Sequence, residues 1–262
     1  MIHPEATLYR CTGCQHCFTD LTSIVSPENY SSDYYEVTHK NWFEHPNLSL
    51  FQEIEKMILQ YSKTTASVLD VGCGRGDLLK YLHSKNPSLS LTGIDLSDVP
   101  QIPGIRMLQR DFLKEDFPQK FDVVTSLAAI EHVEDVQLFA KKIGDLCAKD
   151  GVAIIMTNNE SGLLYGIARG LYSFGIKGPF NRLYSKHHLN HFGIESMRTL
   201  FERHGFEILK TIHHSFPLKA VDIPVSSKFA DFILRGAVAG MFFLGKTLEM
   251  DFMQTIVCRK KV

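Results

Sequence analysis

The sequence predicts an α/β fold, with strands alternating with helices along a 262-residue chain. Three observations predict it. Residues 67–77 read S-V-L-D-V-G-C-G-R-G-D: a short apolar run at Val68, Leu69 and Val71, glycines at 72, 74 and 76, then helical spacing at Leu78, Leu79 and Leu82. A second apolar run over residues 89–94 ends in Asp95, 19 residues beyond Gly76. Further runs at residues 105–108, 121–127, 152–157, 206–213 and 252–259 repeat the strand pattern, most of them separated by segments of helical spacing.

The first stretch is strand, glycine turn and helix. Without Cβ atoms, Gly72, Gly74 and Gly76 let the chain turn sharply and let a ligand lie against main-chain N–H groups at the helix N-terminus. An ordinary tight turn uses the same residues, so flanking chemistry has to discriminate. Asp70 stands inside the strand end, where a buried carboxylate is costly unless it bonds turn amides or a cationic ligand group. Asp95, at the tip of the second strand, is placed to accept both hydroxyls of a ribose. A dinucleotide fingerprint is Gly-x-Gly-x-x-Gly. Here the spacing is Gly-x-Gly-x-Gly with Asp70 and Asp77 beside it, which suits a cationic nucleoside better than a diphosphate.

Taken together, V-L-D-V-G-C-G-R-G-D and the downstream G-I-D-L-S resemble the class I S-adenosylmethionine-dependent methyltransferases, over residues ~48–262 and most firmly through Thr157. The resemblance implies a Rossmann-like, doubly wound, seven-stranded, mostly parallel sheet whose last strand inserts antiparallel between strands five and six. It implies S-adenosyl-L-methionine as cofactor, with S-adenosyl-L-homocysteine as product. Asp70, Gly72, Cys73, Gly74 and Gly76 would hold the methionine part, and Asp95 the ribose. Asp111 and Phe112 would hold the adenine, with Leu96 and Leu127 as further cofactor contacts. A loop or helix-capping role is the alternative for Asp111.

Composition bounds the partners. With 44% hydrophobic and 22% charged residues the chain is globular, and a net charge of −1 provides no field for nucleic acid. A small-molecule or lipid-like acceptor is expected instead. Residues 1–10 lack a basic start and an apolar core, so a cytoplasmic setting is expected. Cys73, Cys147 and Cys258 read as core cysteines in a turn, a helix and a strand.

The N-terminal 47 residues form an expected cap. Cys11, Cys14 and Cys17, with His16 between, look like half of a zinc ribbon, and His3 or His16 would have to complete four ligands. The alternative is a metal-free remnant that packs on the domain. Tyr30, Asp33, Tyr34, Tyr35, Trp42 and Phe43 suggest a lid over the cofactor or a plain covering loop. Leu50, Phe51, Ile54, Met57 and Ile58 predict a helix leading into the first strand.

Beyond Asp95, Pro100 and Pro103 shorten the next crossover helix to about one turn. Outside the carboxyl end of the fourth strand comes Glu131-His132-Val133, similar to a stretch in methyltransferases of ubiquinone-biosynthesis type. His132 is the first candidate for a base that takes a proton from a substrate hydroxyl; alternatively Glu131 and His132 cap the following helix, which Gly151 ends. Residues 158–193 form an insertion in which Leu163, Leu164, Ile167, Leu171 and Phe174 suggest an apolar helix able to roof an acceptor pocket. His188 and His191 are further base or substrate-contacting candidates, or loop anchors. His187 and His191 would share a helical face for a metal, the weaker reading. Residues 226–248 predict a hydrophobic helix too interrupted to span a bilayer, either buried on the sheet or lying on a membrane or lipid substrate.

The expected activity is methyl transfer to a small acceptor. O-methylation of a quinone-like, lipid-like or natural-product hydroxyl is favoured over N- or C-methylation. A catalytically inactive S-adenosylmethionine-binding module and a zinc-bearing interaction protein are the alternatives.

Overall fold

Apolar, β-branched runs pair into a seven-stranded sheet whose inner strands bury both faces. In the computed structural model, which describes residues 2–24, 44–185, 187–221 and 227–261, its strands are β4 (Ser67–Val71), β5 (Ser90–Asp95), β6 (Arg106–Gln109), β7 (Phe121–Leu127), β8 (Cys147–Asn158), β10 (Phe206–His214) and β11 (Met253–Lys260). The order is β10-β11-β8-β7-β4-β5-β6. Strands β4 through β8 pair in parallel, and the last strands are antiparallel. β11 therefore lies between the fifth and sixth strands, as the resemblance implied. Strand order reverses beside β4, and the carboxyl ends of strands at such a switch point are where α/β sheets bind ligands.

Helices follow their apolar spacing. α1 (Leu48–Tyr61) buries Leu50, Phe51, Ile54, Met57 and Ile58, the five positions expected. α2 (Asp77–Lys85) buries Leu78, Leu79 and Leu82. α3 (Val136–Leu146) is capped by Asp135, whose carboxylate accepts the Leu138 amide at 2.9 Å, so neither Glu131 nor His132 is the cap. α6 (Ile194–Arg203) buries Met197, Leu200 and Phe201.

Two boundaries differ from expectation. α3 ends at Leu146 and Cys147 begins β8, so Cys147 is a strand residue and Gly151 is not a helix stop. Gly151 serves a bulge: the β7–β8 register jumps from Phe121↔Cys147 to Val123↔Val152. A Cβ there would stand 2.8 Å from the Ala148 carbonyl oxygen. Between β5 and β6 the chain makes no helical turn; Ile102 and Ile105 form an isolated bridge around Pro103-Gly104.

The chain divides into two units. One, made of Leu48–Thr157, Glu195–Ile212 and Thr255–Val262, holds the body of this sheet. The other takes in Met1–Asn47, Asn158–Ile194 and His213–Gln254. It contains a small antiparallel sheet ordered β1 (Ile2–His3), β2 (Ala6–Arg10), β3 (Cys17–Thr19) and β9 (Asn190–His191). Helices α4 (Leu163–Ser173), α5 (Gly178–Leu183) and α7 (Lys228–Thr247) belong to it. Its core joins Leu8, Cys17, Tyr165, Phe180 and Tyr184.

The 158–193 insertion is more regular than expected. Its helix α4 buries Tyr165 and Ala168, whereas Ile167 and Phe174 are exposed. Helix α7, expected to be buried first of all, buries only Gly245. Among the described residues no helix is long and apolar enough to cross a membrane. The aromatic residues of the expected lid, Tyr30 to Phe43, lie outside the described residues.

Candidate active site

Gly72, Gly74 and Gly76 all adopt left-handed backbone, with φ of 73°, 50° and 72°. β4 runs into the turn, the Gly72 and Cys73 amides donate to the Ile94 carbonyl at 2.8 and 3.1 Å, and Gly76 caps α2. A Cβ on Gly72 would stand 2.6 Å from the Ala129 Cβ, and one on Gly76 2.8 Å from Ile102 Cδ1. At Gly72 and Gly76 the turn has room for glycine only. Cys73 is buried, with its sulfur packed over Gly93 in β5, so its side chain is a packing group and its thiol is pushed up by burial and then by Asp70 and Asp95.

Asp95 faces this turn. Its Oδ2 accepts the Gly74 amide at 2.7 Å, and its Oδ1 accepts the Ser97 amide and hydroxyl at 2.9 and 2.6 Å. These bonds fix the carboxylate at the tip of β5. Leu96 beside it is exposed. Asp70 is 3% exposed and accepts the Thr125 hydroxyl at 2.7 Å rather than a turn amide. Burial raises its carboxyl to about 7, the Thr125 hydrogen bond opposes that rise, and the Asp95 charge adds to it.

Beyond β6, Asp111 caps its own turn. Its Oδ1 accepts the Leu113 and Lys114 amides at 3.0 and 3.3 Å, and Lys114 Nζ stands 3.0 Å from Oδ2. Partial burial acts upward on this carboxyl, but the Lys114 contacts and the amides outweigh it and hold the group low. Phe112 is buried against Phe139 and Phe117.

Leu127 ends β7, and Ala128 follows with φ 54°, a strained value for a residue with a Cβ. That kink sets Ala129 against Gly72. The chain then turns through a 3-10 segment, Ile130–His132, in the same unit as the glycine turn. His132 is half-buried. Glu131 is buried, accepts the Thr157 hydroxyl at 2.8 Å, and is raised to about 7 by desolvation. Sequence reasoning missed Ala128, Ala129, Thr125 and the burial of Glu131; only the paired small residues at 128–129 hinted at a close approach.

His188 and His191 belong to the other unit. His191 sits in β9 opposite Cys17, buried, with its ring 4.7 Å from that of Tyr184. His188 is half-buried, with Nδ1 3.3 Å from the Asn158 side-chain amide. His187 lies in a turn and His191 in a strand, so the two share no helical face. Cys17 packs in the apolar core of this unit, which pushes its thiol up to about 12, while Cys11 and Cys14 are half-buried and in no disulfide. Among the described residues these cysteines do not converge with His3 or His16 on a metal-sized site.

The same unit holds a network that no local spacing announces. Glu160 is buried and takes Arg10, Arg169 and the Tyr184 hydroxyl, with Arg169 Nη1 at 2.6 Å. Arg10 is 150 residues away in the chain.

The residues at the turn fit S-adenosylmethionine. Gly72 and Gly76 pack their missing Cβ positions against Ala129 and Ile102, which fixes the turn that begins the helix N-terminus. The fixed Asp95 carboxylate has the acceptor oxygens that a ribose diol calls for, and Asp70 is a buried carboxyl raised to about 7 that a neighbouring sulfonium or ammonium charge would draw toward its ionised form.

The sequence matches the methyltransferase domain family over residues 43–211. It is similar to the ubiquinone biosynthesis O-methyltransferase of Pseudomonas putida, 27% identical over 149 residues, which are 50% of this chain and 63% of that protein. It is also similar to the (S)-tetrahydroprotoberberine N-methyltransferase of Eschscholzia californica, 26% identical over 104 residues, 36% of this chain and 30% of that one. The chain thus spans less than two thirds of either relative. Its fold is similar to that of Burkholderia thailandensis 1,6-didemethyltoxoflavin-N1-methyltransferase, solved with S-adenosylhomocysteine bound, with a TM-score of 0.55, 13% identity and coverage of 98% and 100%. A family match over more than half of its length, on a sheet of this topology with this glycine turn, makes the chain a member of the class I S-adenosylmethionine-dependent methyltransferases.

Proposed function

We propose that the chain transfers the methyl group of S-adenosylmethionine to a small acceptor, with a quinone-like, lipid-like or natural-product hydroxyl favoured over nitrogen or carbon. The observation that carries this reading is the left-handed glycine turn tied to Asp95 through the Gly74 amide. S-adenosylmethionine supplies, when bound, a methyl group activated by a sulfonium. The glycine turn and Asp70 bind its methionine end, Asp95 its ribose, and Phe112 with Asp111 its adenine. Alignment of acceptor and methyl group in a closed site supplies most of the rate. His132, beside buried Glu131, takes the acceptor's proton; His188 and His191 are the next choices. The O-methyltransferase relative, matched over a longer stretch than the N-methyltransferase, supports oxygen as the acceptor atom.

The test is transfer of labelled methyl to matched phenol, quinol and amine panels, with parent and His132→Gln. Transfer to hydroxyl acceptors is expected, and the variant should lose about 10²-fold or more in kcat, with its remaining rate no longer rising through the imidazole range. Full activity in His132→Gln removes that residue as the base. Cofactor binding with no transfer to any acceptor supports a binding module instead.

A further inference from the structure

Helix α7 shows an aromatic face to solvent. Phe229 is 75% exposed, Phe232 73%, Ile233 52%, Phe243 68% and Leu244 52%. At 100° per residue these side chains share one side of the helix. Gly236 and Gly240 fall between them, and a Cβ on either would meet nothing within 4 Å. The opposite side is anchored. The Phe242 ring packs on Phe216 and Phe252 at 5.4 and 6.3 Å, Gly245 abuts the Met250 carbonyl, and Arg235 donates to the Leu218 carbonyl at 2.8 Å. Two clusters of exposed apolar side chains on one side of a single helix, with open glycines between them, mark an interaction site.

Charge decides the partner. Lys228, Arg235 and Lys246 lie along one border of the apolar face, spaced seven and eleven residues apart, against one acid, Asp231, which bridges to Arg235 at 2.9 Å. Three basic residues less one acid leave the helix at +2. A second copy of α7 laid antiparallel on this face would set the basic borders side by side, Lys228 of one copy near Lys246 of the other, without compensating acids. A bilayer with anionic headgroups complements both the apolar face and its basic border. The helix is not long and apolar enough to cross.

We propose that α7 lies in the interface of an anionic phospholipid bilayer, with Phe229, Phe232, Ile233, Phe243 and Leu244 at the headgroup–acyl boundary and Lys228 and Lys246 on lipid phosphates. This surface stands apart from the methyl-transfer reading and can be tested without cofactor.

The experiment is co-sedimentation of the full chain with vesicles of phosphatidylcholine containing a quarter phosphatidylglycerol, against phosphatidylcholine alone. The chain should bind the anionic vesicles at least tenfold more tightly, with most of that preference lost at about 0.5 M salt. Phe229→Ser/Phe232→Ser/Phe243→Ser should weaken binding at least tenfold. Lys228→Gln/Lys246→Gln, which leaves the apolar face intact, should weaken it about fivefold per charge. Circular dichroism and cooperative melting report whether each variant is folded. Failure to bind anionic vesicles, or binding that neither variant weakens, overturns the proposal. So does a parent dimer in sedimentation velocity that the serine variant dissolves, because the face then belongs to a second copy.

Discussion

Replacing Asp70 by asparagine should make the unliganded protein gain stability over the parent as pH rises. Burial raises the Asp70 carboxyl from 3.8 to about 7. Between those values the folded state binds a proton that the unfolded state has released, so the stability this group contributes is complete below about pH 4 and is lost as pH climbs through 7. At 1.36 kcal/mol per pKa unit, the loss is about 2 kcal/mol at pH 5 and about 4 kcal/mol at pH 8. Asparagine keeps an oxygen for the Thr125 hydroxyl and cannot ionise. Its new N–H donors carry a cost that does not vary with pH, so the pH dependence isolates the carboxyl. Urea unfolding of parent and Asp70→Asn at pH 5 and pH 8 should show the variant gaining about 2–3 kcal/mol across that interval. A gap between the two proteins constant to within ~0.5 kcal/mol refutes a raised, buried carboxyl at this position.

Gly72→Ala should cost more than about 2 kcal/mol, about half from the left-handed backbone and the rest from the contact with Ala129, and Ala129→Gly in the same chain should recover the second part. Denaturant titration of the single and double variants checks this, and additivity of the two changes argues against the contact. Asp95→Ala should lose roughly 2–4 kcal/mol of S-adenosylmethionine affinity, since it removes the acceptor expected for the ribose; unchanged affinity overturns the assignment. Glu160→Gln leaves Arg10 and Arg169 without their counter-charge and should lower stability by about 2 kcal/mol or more, less than a fully buried pair because both arginines are about one third exposed. A melting temperature within a degree of the parent's would show that the network carries no such weight.

What could be read without coordinates was chemistry confined to a few neighbouring residues. Three alternate glycines after an apolar run permit a sharp turn that other residues resist, and the strand–turn–helix–strand repeat brings the residue ending the next strand back beside it. Gly74 and Asp95 meet in that way across 21 positions. Asp111 was ambiguous because one carboxylate can bond its own turn or a ligand, and in the structure it bonds its turn. Gly151 read as a helix stop because a bulge and a stop both ask for glycine, and only the register against β7 tells them apart. Helix α7 has apolar positions on all sides, so its hydrophobicity alone could not say which side has a partner; Phe242 and Gly245 turn out to face inward and Phe229 and Phe243 outward. The Glu160 network joins residues from three distant stretches, and pairing over 150 positions leaves no periodic trace.

Calorimetric titration of the full chain with S-adenosylmethionine, S-adenosylhomocysteine and NAD⁺ in parallel tests the central claim most directly. A turn built from Gly72, Gly74 and Gly76 with Asp70 and Asp95 beside it should bind the first two in the micromolar range and leave NAD⁺ unbound. Binding of NAD⁺ in their place, or silence toward both S-adenosyl compounds, would contradict the assignment of this turn as the cofactor site.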